Sequence, residues 1–432
     1  MKKSKFIKST IILIIGGFIT KILSMFIKIV MTRLLGTEGI GIYMLILPTF
    51  TLFIAIAQLG LPVAISTLVA REKYNNKNLV FSMIPFMLLL NFIILIFLIF
   101  SSNYIANNLL HESRSYYALI SIGIVLPLIS ISNLIRGYFF GKERMIPHVI
   151  SNIMENLIRL IAIIIGIPLF MKKGLEFAVA FVVLVNLISE FTSILILFLF
   201  LPKNFNISLK DIKPDIKNIK NILSISIPTT GSRIIGSIGY FLEPIIITSI
   251  LLKIGYTNKF IINEYGILNG YVMPLLLIPS FFTLAISQAL IPVISKYYSN
   301  NLKNNCLIKI KQAIFLSLLV GIPITIMFEI FPDSFLKIIY NTNEGIKYLQ
   351  VLAPIFLFYY IQIPLTGTLQ ALGKAKEAMT GTLLGMIIRI FSLILFSYMH
   401  IGMWGLVIAS SLNIIVVTLN QVVHIKKTLI KN

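Results

Sequence analysis

Apolar residues fill stretches of about 20 positions along the whole chain, and short polar segments separate them. An α-helix needs about 20 apolar residues to cross the hydrocarbon core of a bilayer. The pattern therefore predicts an all-α polytopic membrane protein with twelve spans. The first stretch is too long for a signal peptide and no small-residue cleavage site follows it, so a retained helix is expected. The predicted spans are residues 9–33, 40–69, 79–102, 116–136, 147–170, 175–201, 221–252, 263–295, 307–330, 348–371, 378–398 and 401–424.

The longest polar stretch, PKNFNISLKDIKPDIKNIKN, lies at the midpoint of the twelve spans. Its Lys and Asn content is typical of a solvent-exposed connection. It predicts an N-lobe of residues 1–201 with spans one to six, a cytoplasmic linker of residues 202–220, and a C-lobe of residues 221–432 with spans seven to twelve.

The two halves of the chain resemble each other. QLGLPVAIS at 58–66 matches QALIPVIS at 288–295, and Gly141-Lys142 matches Gly373-Lys374. Each half has six spans, an even number, so both halves enter the membrane in the same direction. We therefore expect parallel repeats related by a pseudo-two-fold axis along the membrane normal, with the substrate path at their interface.

Basic residues are unevenly distributed around the predicted spans. The chain has 37 Lys and Arg residues against 15 Asp and Glu, a formal net charge of +22. With the N-terminus inside, and with residues near span ends counted with the adjoining segment, 24 of the basic residues are cytoplasmic, Arg136 among them, 8 are external and 5 lie deep within spans. This bias is the positive-inside signature of a plasma-membrane protein with both termini cytoplasmic. The basic surplus then faces anionic membrane lipids, and a nucleic-acid partner is not expected.

Five cations lie inside the apolar stretches: Lys21, Lys28, Arg159, Arg233 and Arg389. A charge at bilayer depth costs roughly 3 kcal/mol, so it normally faces a bundle interior or a wet cavity. Lys21 and Arg233 occupy the first span of each half, and Arg159 and Arg389 the fifth. This symmetry predicts a central cavity that binds an anion through the five cations. For Lys28, snorkelling to the membrane interface is the alternative.

Three acids accompany these cations within the spans: Glu155, Glu190 and Glu243. Glu155 and Arg159 stand four residues apart and can pair on one helix face, either as part of the site or as a purely structural ion pair. Glu190 and Glu243 could hold a coupling H⁺ or Na⁺, or neutralise a neighbouring arginine. The excess of cations suits a pyrophosphate, since arginine binds phosphate through bidentate hydrogen bonds.

Pro62 and Pro292 occupy matching positions in the two halves. Prolines inside spans are ordinary kinks in many membrane helices. Because this pair recurs in both lobes, we predict hinges for alternating access at these two positions.

Signals of enzymatic chemistry are weak. The single cysteine, Cys306, excludes an internal disulfide and a Cys-based metal cluster, and the four histidines are scattered near span ends. No P-loop, HExxH or GxSxG pattern occurs. The sequence thus predicts no metal and no cofactor, and favours a transporter over an enzyme. A membrane enzyme that transfers or polymerises lipid-linked sugars is the alternative, but the first external loop offers only Glu38.

Four segments carry a family resemblance: TRLLGTEGIGIYMLILP at 32–48, GLPVAIS at 60–66, RGYFFGKERMIPHVISNIMENLIR at 136–159 and LQALGKAKEA at 369–378. In these segments and their order, the chain resembles the multidrug/oligosaccharidyl-lipid/polysaccharide (MOP) exporter superfamily. It is similar in particular to the polysaccharide-flippase branch, that of stage V sporulation protein B and the lipid II flippases.

The resemblance implies two six-helix lobes in a V and outward movement of an undecaprenyl-pyrophosphate-linked oligosaccharide, a precursor of cell wall, capsule or spore envelope. Lys21 and Lys28 match in type the first-helix cations of lipid II flippases, whereas the arginines of those proteins on helices two and eight have no counterpart here. Further partners would be membrane lipids, H⁺ or Na⁺, and envelope-synthesis enzymes. A multidrug antiporter of the same superfamily is the alternative.

Overall fold

The structure is a computed structural model that describes residues 2–70, 76–202, 205 and 214–430. Inside its helices, the side chains of residues 2–11, 13–14, 217, 228–229, 231–232 and 292 lie outside the description. Every regular element of the described residues is a helix or a helical turn, so the predicted all-α fold is confirmed. The predicted linker, residues 202–220, lies mostly outside the described part.

The chain packs as two compact units, Met1–Pro244 (unit 1) and Ile245–Asn432 (unit 2). Their boundary falls inside a helix, and the lobe limits predicted from the sequence stay a prediction. The helices of unit 1 are α1 (Lys2–Gln58), α2 (Leu61–Ala70), α3 (Asn76–Phe81), α4 (Ile84–Tyr104), α5 (Tyr116–Gly141), α6 (Met145–Met171), α7 (Leu175–Leu199) and most of α8 (Ile216–Lys253).

Unit 2 continues from the end of α8 and contains a short helix, α13, that the span pattern did not predict. Its nine residues are too few to cross a membrane. The helices of unit 2 are α9 (Asn258–Gly266), α10 (Met273–Leu276), α11 (Ser280–Ser299), α12 (Lys303–Ile330), α13 (Pro332–Tyr340), α14 (Ile346–Ala371), α15 (Ala375–Ser397) and α16 (Trp404–Leu429).

The first element, α1, is too long for one membrane crossing. The apolar run Ile15–Ala70 that begins in it has 56 residues. At 1.5 Å per residue it would extend about 84 Å, more than twice the thickness of the hydrocarbon core. The helix is interrupted at Gly36, whose φ of 69° and ψ of −179° lie in a region that essentially only glycine adopts. Helix α1 therefore includes both the first predicted span and most of the second.

The described helices agree with the predicted spans. Ten of them are long and apolar enough to cross a membrane, or eleven if the bent pair Asn258–Leu276 and Ser280–Ser299 forms one span. The run Ile15–Ala70 is counted once in that total, although its length fits two crossings. The chain is a multi-pass membrane protein.

The two predicted hinge prolines have different settings. Leu59 and Gly60 have φ values of 44° and 62° and end α1, so Pro62 lies in the first turn of α2. Proline fits the first turn of a helix because its missing N–H has no partner there in any case. Pro292 lies inside α11, and its side chain is outside the described residues. A hinge role for either proline stays a prediction.

Each unit has its own apolar core. In unit 1, Leu61 of α2, Leu134 of α5 and Leu197 of α7 are fully buried in one cluster. In unit 2, Ile294 of α11 and Leu369 of α14 are fully buried in another. Each span therefore has two kinds of apolar position. Some are buried against other helices of the same unit, and the others remain exposed on the surface that can face lipid.

Small residues set the close approach of neighbouring helices. A Cβ at Gly166 of α6 would overlap the ring of Phe181 of α7, and one at Gly141 of α5 would lie 2.6 Å from Cβ of Val69 of α2. Lipid tails are as apolar as leucine, so helices in a membrane associate mainly through such close packing.

We expect Gly166→Ala to lower the thermal stability of the purified protein in detergent. The added methyl must displace the Phe181 ring, which also stacks on Phe170 with centroids 4.5 Å apart. Overpacking of this kind costs about 1–3 kcal/mol. The measurement is the midpoint temperature of thermal aggregation, with the remaining unaggregated protein quantified by size-exclusion chromatography.

Gly17→Ala is the matched control, because a Cβ there meets nothing within 4 Å. It should leave the midpoint unchanged or raise it slightly, as alanine favours helix by up to about 1 kcal/mol over glycine. Equal midpoints for the two variants would contradict the assigned packing of α6 on α7.

Candidate functional site

Four ionisable side chains form a network inside unit 1. Arg136 of α5 donates from Nη2 to Oε2 of Glu155 of α6 over 2.5 Å. The same Nη2 lies 3.8 Å from Oε2 of Glu190 of α7. Arg159 of α6 donates from Nη2 to Oε1 of Glu155 over 2.6 Å. Glu155 therefore has one arginine at each of its carboxylate oxygens.

Helix α7 adds two hydroxyl groups to this network. Arg136 donates from Nη2 to Oγ of Ser193 over 2.7 Å, and Arg159 donates from Nη2 to Oγ of Ser189 over 3.2 Å. Ser189 and Ser193 are four residues apart, and Glu190 lies between them in the same turn, so one face of α7 presents all three groups. The network thus ties α5, α6 and α7 together.

These charges are shielded from solvent. Arg136, Glu155 and Glu190 are only 9%, 6% and 5% exposed. Each buried ion loses several kcal/mol of hydration, and only well-placed partners offset that cost. Two arginines and two glutamates have cancelling formal charges, so the network can be tolerated at depth. Removing one member leaves an uncompensated charge, which typically costs 3–5 kcal/mol.

A pocket lined by six polar and six apolar residues adjoins the network. Its volume is about 170 Å³, and Arg159 belongs both to its wall and to the network. Ser24 and Asn156 are linked across it by a 3.4 Å hydrogen bond from the serine Oγ to the amide oxygen. The polar residues that line the pocket are Ser24, Lys28, Tyr43, Asn156, Arg159 and Asn186.

The helical repeat explains why these residues meet. On α1, the lining residues Ser24, Lys28 and Met31 follow the i, i+4, i+7 spacing of one helix face, and on α7 Val182 and Asn186 are one turn apart. Helix α6 contributes its residues with the same periodicity. Three faces that are partly polar therefore turn toward each other, which is the arrangement expected for a site rather than for a lipid-facing surface.

The structure brings some of the predicted site residues together in unit 1. Lys28 and Arg159 line the same pocket, and Glu155 and Glu190 belong to the adjoining network. The pairing of Glu155 with Arg159 at i, i+4 is present as predicted. Lys21 lies two turns before Lys28 on α1, and its side chain is exposed.

Other predicted residues do not line this pocket. Arg233 of α8 is exposed, whereas Glu243 of the same helix is only 3% exposed. Arg389 lies on α15 in unit 2 and is half-buried. The roles predicted for these three residues stay predictions.

Arg136 is a member of the network that sequence reasoning missed. It lies at the predicted end of span four, before the polar segment GKER, and was therefore counted as cytoplasmic. The structure buries it within α5 instead. Charge counting gave no signal for it, since Lys21, Lys28 and Arg159 already outnumber the two acids inside the spans of the N-terminal half.

Metal binding finds no support in the described part of the chain. Among those residues, no three His, Cys, Asp or Glu side chains are grouped so that they would hold a metal ion. The polar chemistry of the pocket is that of amides, hydroxyls and cations, which suits an anionic or hydroxylated ligand.

We expect Arg136→Gln to destabilise the protein more than any exposed basic substitution, because Glu155 and Glu190 would lose a cation within 4 Å. The expected loss is about 3–5 kcal/mol. The measurement is thermal unfolding in detergent.

Lys172→Gln, at the exposed end of α6, is the matched control and should have little effect. The double variant Arg136→Gln, Glu155→Gln should be less destabilised than the sum of the two single variants, since it removes both charges of the pair. Strict additivity would show that the pair is not coupled.

Comparisons with known proteins agree with this architecture. The chain is 34% identical over 443 residues to stage V sporulation protein B of Bacillus subtilis (strain 168), with 99% of this chain and 85% of that protein covered. It is 23% identical over 419 residues to the lipid II flippase MurJ of the same organism, with 90% and 76% covered.

Two solved structures share the fold. A lipid II flippase MurJ in an inward closed conformation aligns with a TM-score of 0.73 at 16% identity, over 95% of this chain and 87% of that chain. An inward-facing multidrug resistance MATE family transporter of the MOP superfamily aligns with a TM-score of 0.72 at 17% identity, over 95% of both chains.

Family models match most of the length. The model described as MatE matches residues 269–395, and the model described as polysaccharide biosynthesis protein matches residues 6–298. The similar proteins are flippases and transporters, so the chain is a transporter and not an enzyme. The chain belongs to the polysaccharide biosynthesis protein family of the MOP superfamily, as the resemblance in the sequence predicted.

Proposed function

We propose that the protein flips a lipid-linked oligosaccharide of the undecaprenyl-pyrophosphate type outward across the bacterial plasma membrane by alternating access. The observation that carries the proposal is the pocket in unit 1, where Lys28 and Arg159 face a common space with four amide or hydroxyl side chains. The similarity to stage V sporulation protein B and to a lipid II flippase supports the substrate class.

The pocket suits a pyrophosphate for two reasons. Arg159 donates to Glu155 and Ser189, keeps 23% of its side chain exposed and lines the pocket. Lys28 adds a formal positive charge to a network whose own charges cancel. Ionised donors make hydrogen bonds about twice as strong as neutral ones, which favours a phosphate oxygen over neutral ligands.

Lys21 extends this cationic surface along α1. Seven residues separate it from Lys28, so the two lie on one face about 10 Å apart along the axis. In the proposed function Lys21 contacts the pyrophosphate on its way into the pocket or on its way out of it. Arg233 and Arg389 are the further candidates for contact with the anion along its route.

The acids have a supporting role in this proposal. Glu155 and Glu190 both lie within 4 Å of Arg136 and hold the arginines in place. Outward movement of an anion is favoured by an inside-negative potential, by about 2.3 kcal/mol per charge for each 100 mV. A coupled H⁺ or Na⁺ is therefore not required for net export. Glu243, buried on α8, is the remaining candidate for such coupling.

A multidrug antiporter is the second candidate function, because the MatE model matches residues 269–395. A cationic drug requires an acidic or aromatic pocket. Of the residues that line the unit 1 pocket, none is acidic, and Lys28 and Arg159 would repel a cation. The unit 1 pocket therefore favours the lipid-linked anion.

We expect Lys28→Ala to reduce flipping of a fluorescently labelled undecaprenyl-pyrophosphate disaccharide in proteoliposomes roughly tenfold or more. The reason is the loss of a charged hydrogen bond worth about 1.5–3 kcal/mol, and 1.4 kcal/mol corresponds to tenfold. Transfer is followed by protection of the label from an impermeant quencher.

Lys28→Arg should retain most of the activity, because it keeps the charge, and Lys172→Gln should behave as wild type. Thermal midpoints of all variants are compared to exclude misfolding. Full activity of Lys28→Ala would remove the pocket from the proposed mechanism. Export of ethidium by the same proteoliposomes, without flipping of the labelled lipid, would support the multidrug antiporter instead.

A further inference from the structure

We propose that a second pocket, at the ends of helices in unit 2, binds the saccharide part of the transported lipid. The inference takes its ligand class from the proposed function, but it concerns a different site and a different part of the substrate. The pocket has a volume of about 500 Å³. The polar and aromatic residues that line it are Glu264, Asn343, Glu344, Lys347, Tyr348 and Trp404.

An aromatic corner forms the base of this pocket. The rings of Tyr348 and Trp404 meet edge to face with centroids 4.8 Å apart. The hydroxyl of Tyr348 donates to the Glu264 carboxylate. Tyr348 is only 8% exposed, whereas Trp404 is half-buried, so one part of the indole remains accessible to the pocket.

The backbone holds this corner in a fixed position. Gly345 has a φ of 89°, and a Cβ there would lie 2.8 Å from Cγ2 of Val272 and 2.9 Å from Cγ2 of Ile267. Only glycine can bring the loop so close to this segment. Ile267 and Val272 are the ends of a π-helical turn, an irregularity that is frequent at functional sites. The pocket is therefore built by a tight contact between a loop and an irregular helix.

The chemistry of the pocket matches a sugar better than a phosphate. A pyranose ring has an apolar face of C–H groups, which an indole face can cover, and a rim of hydroxyls. Carboxylates accept hydrogen bonds from such hydroxyls, amides both accept and donate them, and bonds to an ionised acceptor are the stronger ones. Glu264 and Glu344 outnumber Lys347, so an anion would be disfavoured here.

Unit 1 has a comparable pocket of about 450 Å³ at the corresponding helix ends. Tyr116 at the start of α5 corresponds to Tyr348 at the start of α14, since the two are 232 residues apart, within the range of the sequence repeat. Glu176 corresponds in the same way to Trp404, 228 residues further on. The two pockets share these two positions, but Glu176 stands where unit 2 has Trp404. Asn103 of α4 lines the unit 1 pocket, whereas α9 contributes Glu264 to the pocket of unit 2.

An aromatic anchor at the membrane interface would have a different geometry. Interfacial Tyr and Trp side chains place their rings among lipid headgroups. Tyr348 is buried and its hydroxyl donates a hydrogen bond to Glu264 of another helix. The neighbouring Gly345 packs closely against Ile267 and Val272. These contacts orient the aromatic pair toward the pocket.

Trp404 is the only tryptophan of the chain, so intrinsic tryptophan emission reports on this pocket alone. The full-length protein in nanodiscs is titrated with chitotriose, maltotriose and galactotriose. We expect at least one to give a saturable change in emission, with a dissociation constant of about 1–10 mM. Asn343→Ala and Glu264→Gln should weaken that binding roughly tenfold, because the first removes a hydrogen-bonding group and the second removes the charge of an acceptor.

Asp333→Asn, on exposed α13, is the matched control and should bind as wild type. Asn343 lies on an exposed loop, so its variant keeps the test valid if Glu264→Gln fails to fold. No saturable response to any trisaccharide, or equal affinity in wild type and Asn343→Ala, would overturn the proposal. A response to undecaprenyl phosphate without sugar, equal to that of the trisaccharide, would identify a lipid-facing anchor and also overturn it.

This test separates the two proposals. Flipping of the labelled lipid without saccharide binding would support the proposed function and refute the saccharide site in unit 2. Saccharide binding without flipping would leave the pocket and remove the proposed function.

Discussion

The ion pair of Arg136 with Glu155 is the constraint on which the rest of unit 1 depends. Arg136 and Glu155 are only 9% and 6% exposed, and loss of either would leave the charges around it without one of their closest partners. The pair links α5 and α6, two helices that both pack mainly on α7. Glu190 and the two serines of α7 then add the third helix, so that one buried group of charges organises a three-helix core.

The network also explains how a pocket with two cations can exist beside it. Arg159 is shared by both, and Glu155 balances its charge on one side while the other side faces the pocket. The ion pair with Glu155 thus offsets the desolvation free energy of Arg159 before any ligand binds. A site of this kind is ready for an anion without a large rearrangement, which is how preorganised donors achieve affinity.

Much of this arrangement could be predicted from the sequence. Twelve apolar stretches gave the spans, and the spacing of Glu155 and Arg159 gave their ion pair. Arg136 could not be placed, because hydropathy alone does not show whether a cation at a span end faces solvent or an acid on another helix. The contact of Tyr348 with Glu264 joins residues 84 apart and depends on tertiary packing. The break between α1 and α2 has a local signal in Gly60 and Pro62, but the apolar pattern continues across it, so the sequence analysis treated residues 40–69 as one span.

The interruption of α1 has a mechanical consequence. Lys28 precedes Gly36 and Tyr43 follows it, yet both side chains line one pocket. Because a single non-helical residue joins the two helical segments, a change in the tilt of the first span is expected to change the orientation of the second. We therefore expect a backbone rotation at Gly36 to change the distance between the Lys28 ammonium and the Tyr43 phenol, and with it the width of the pocket.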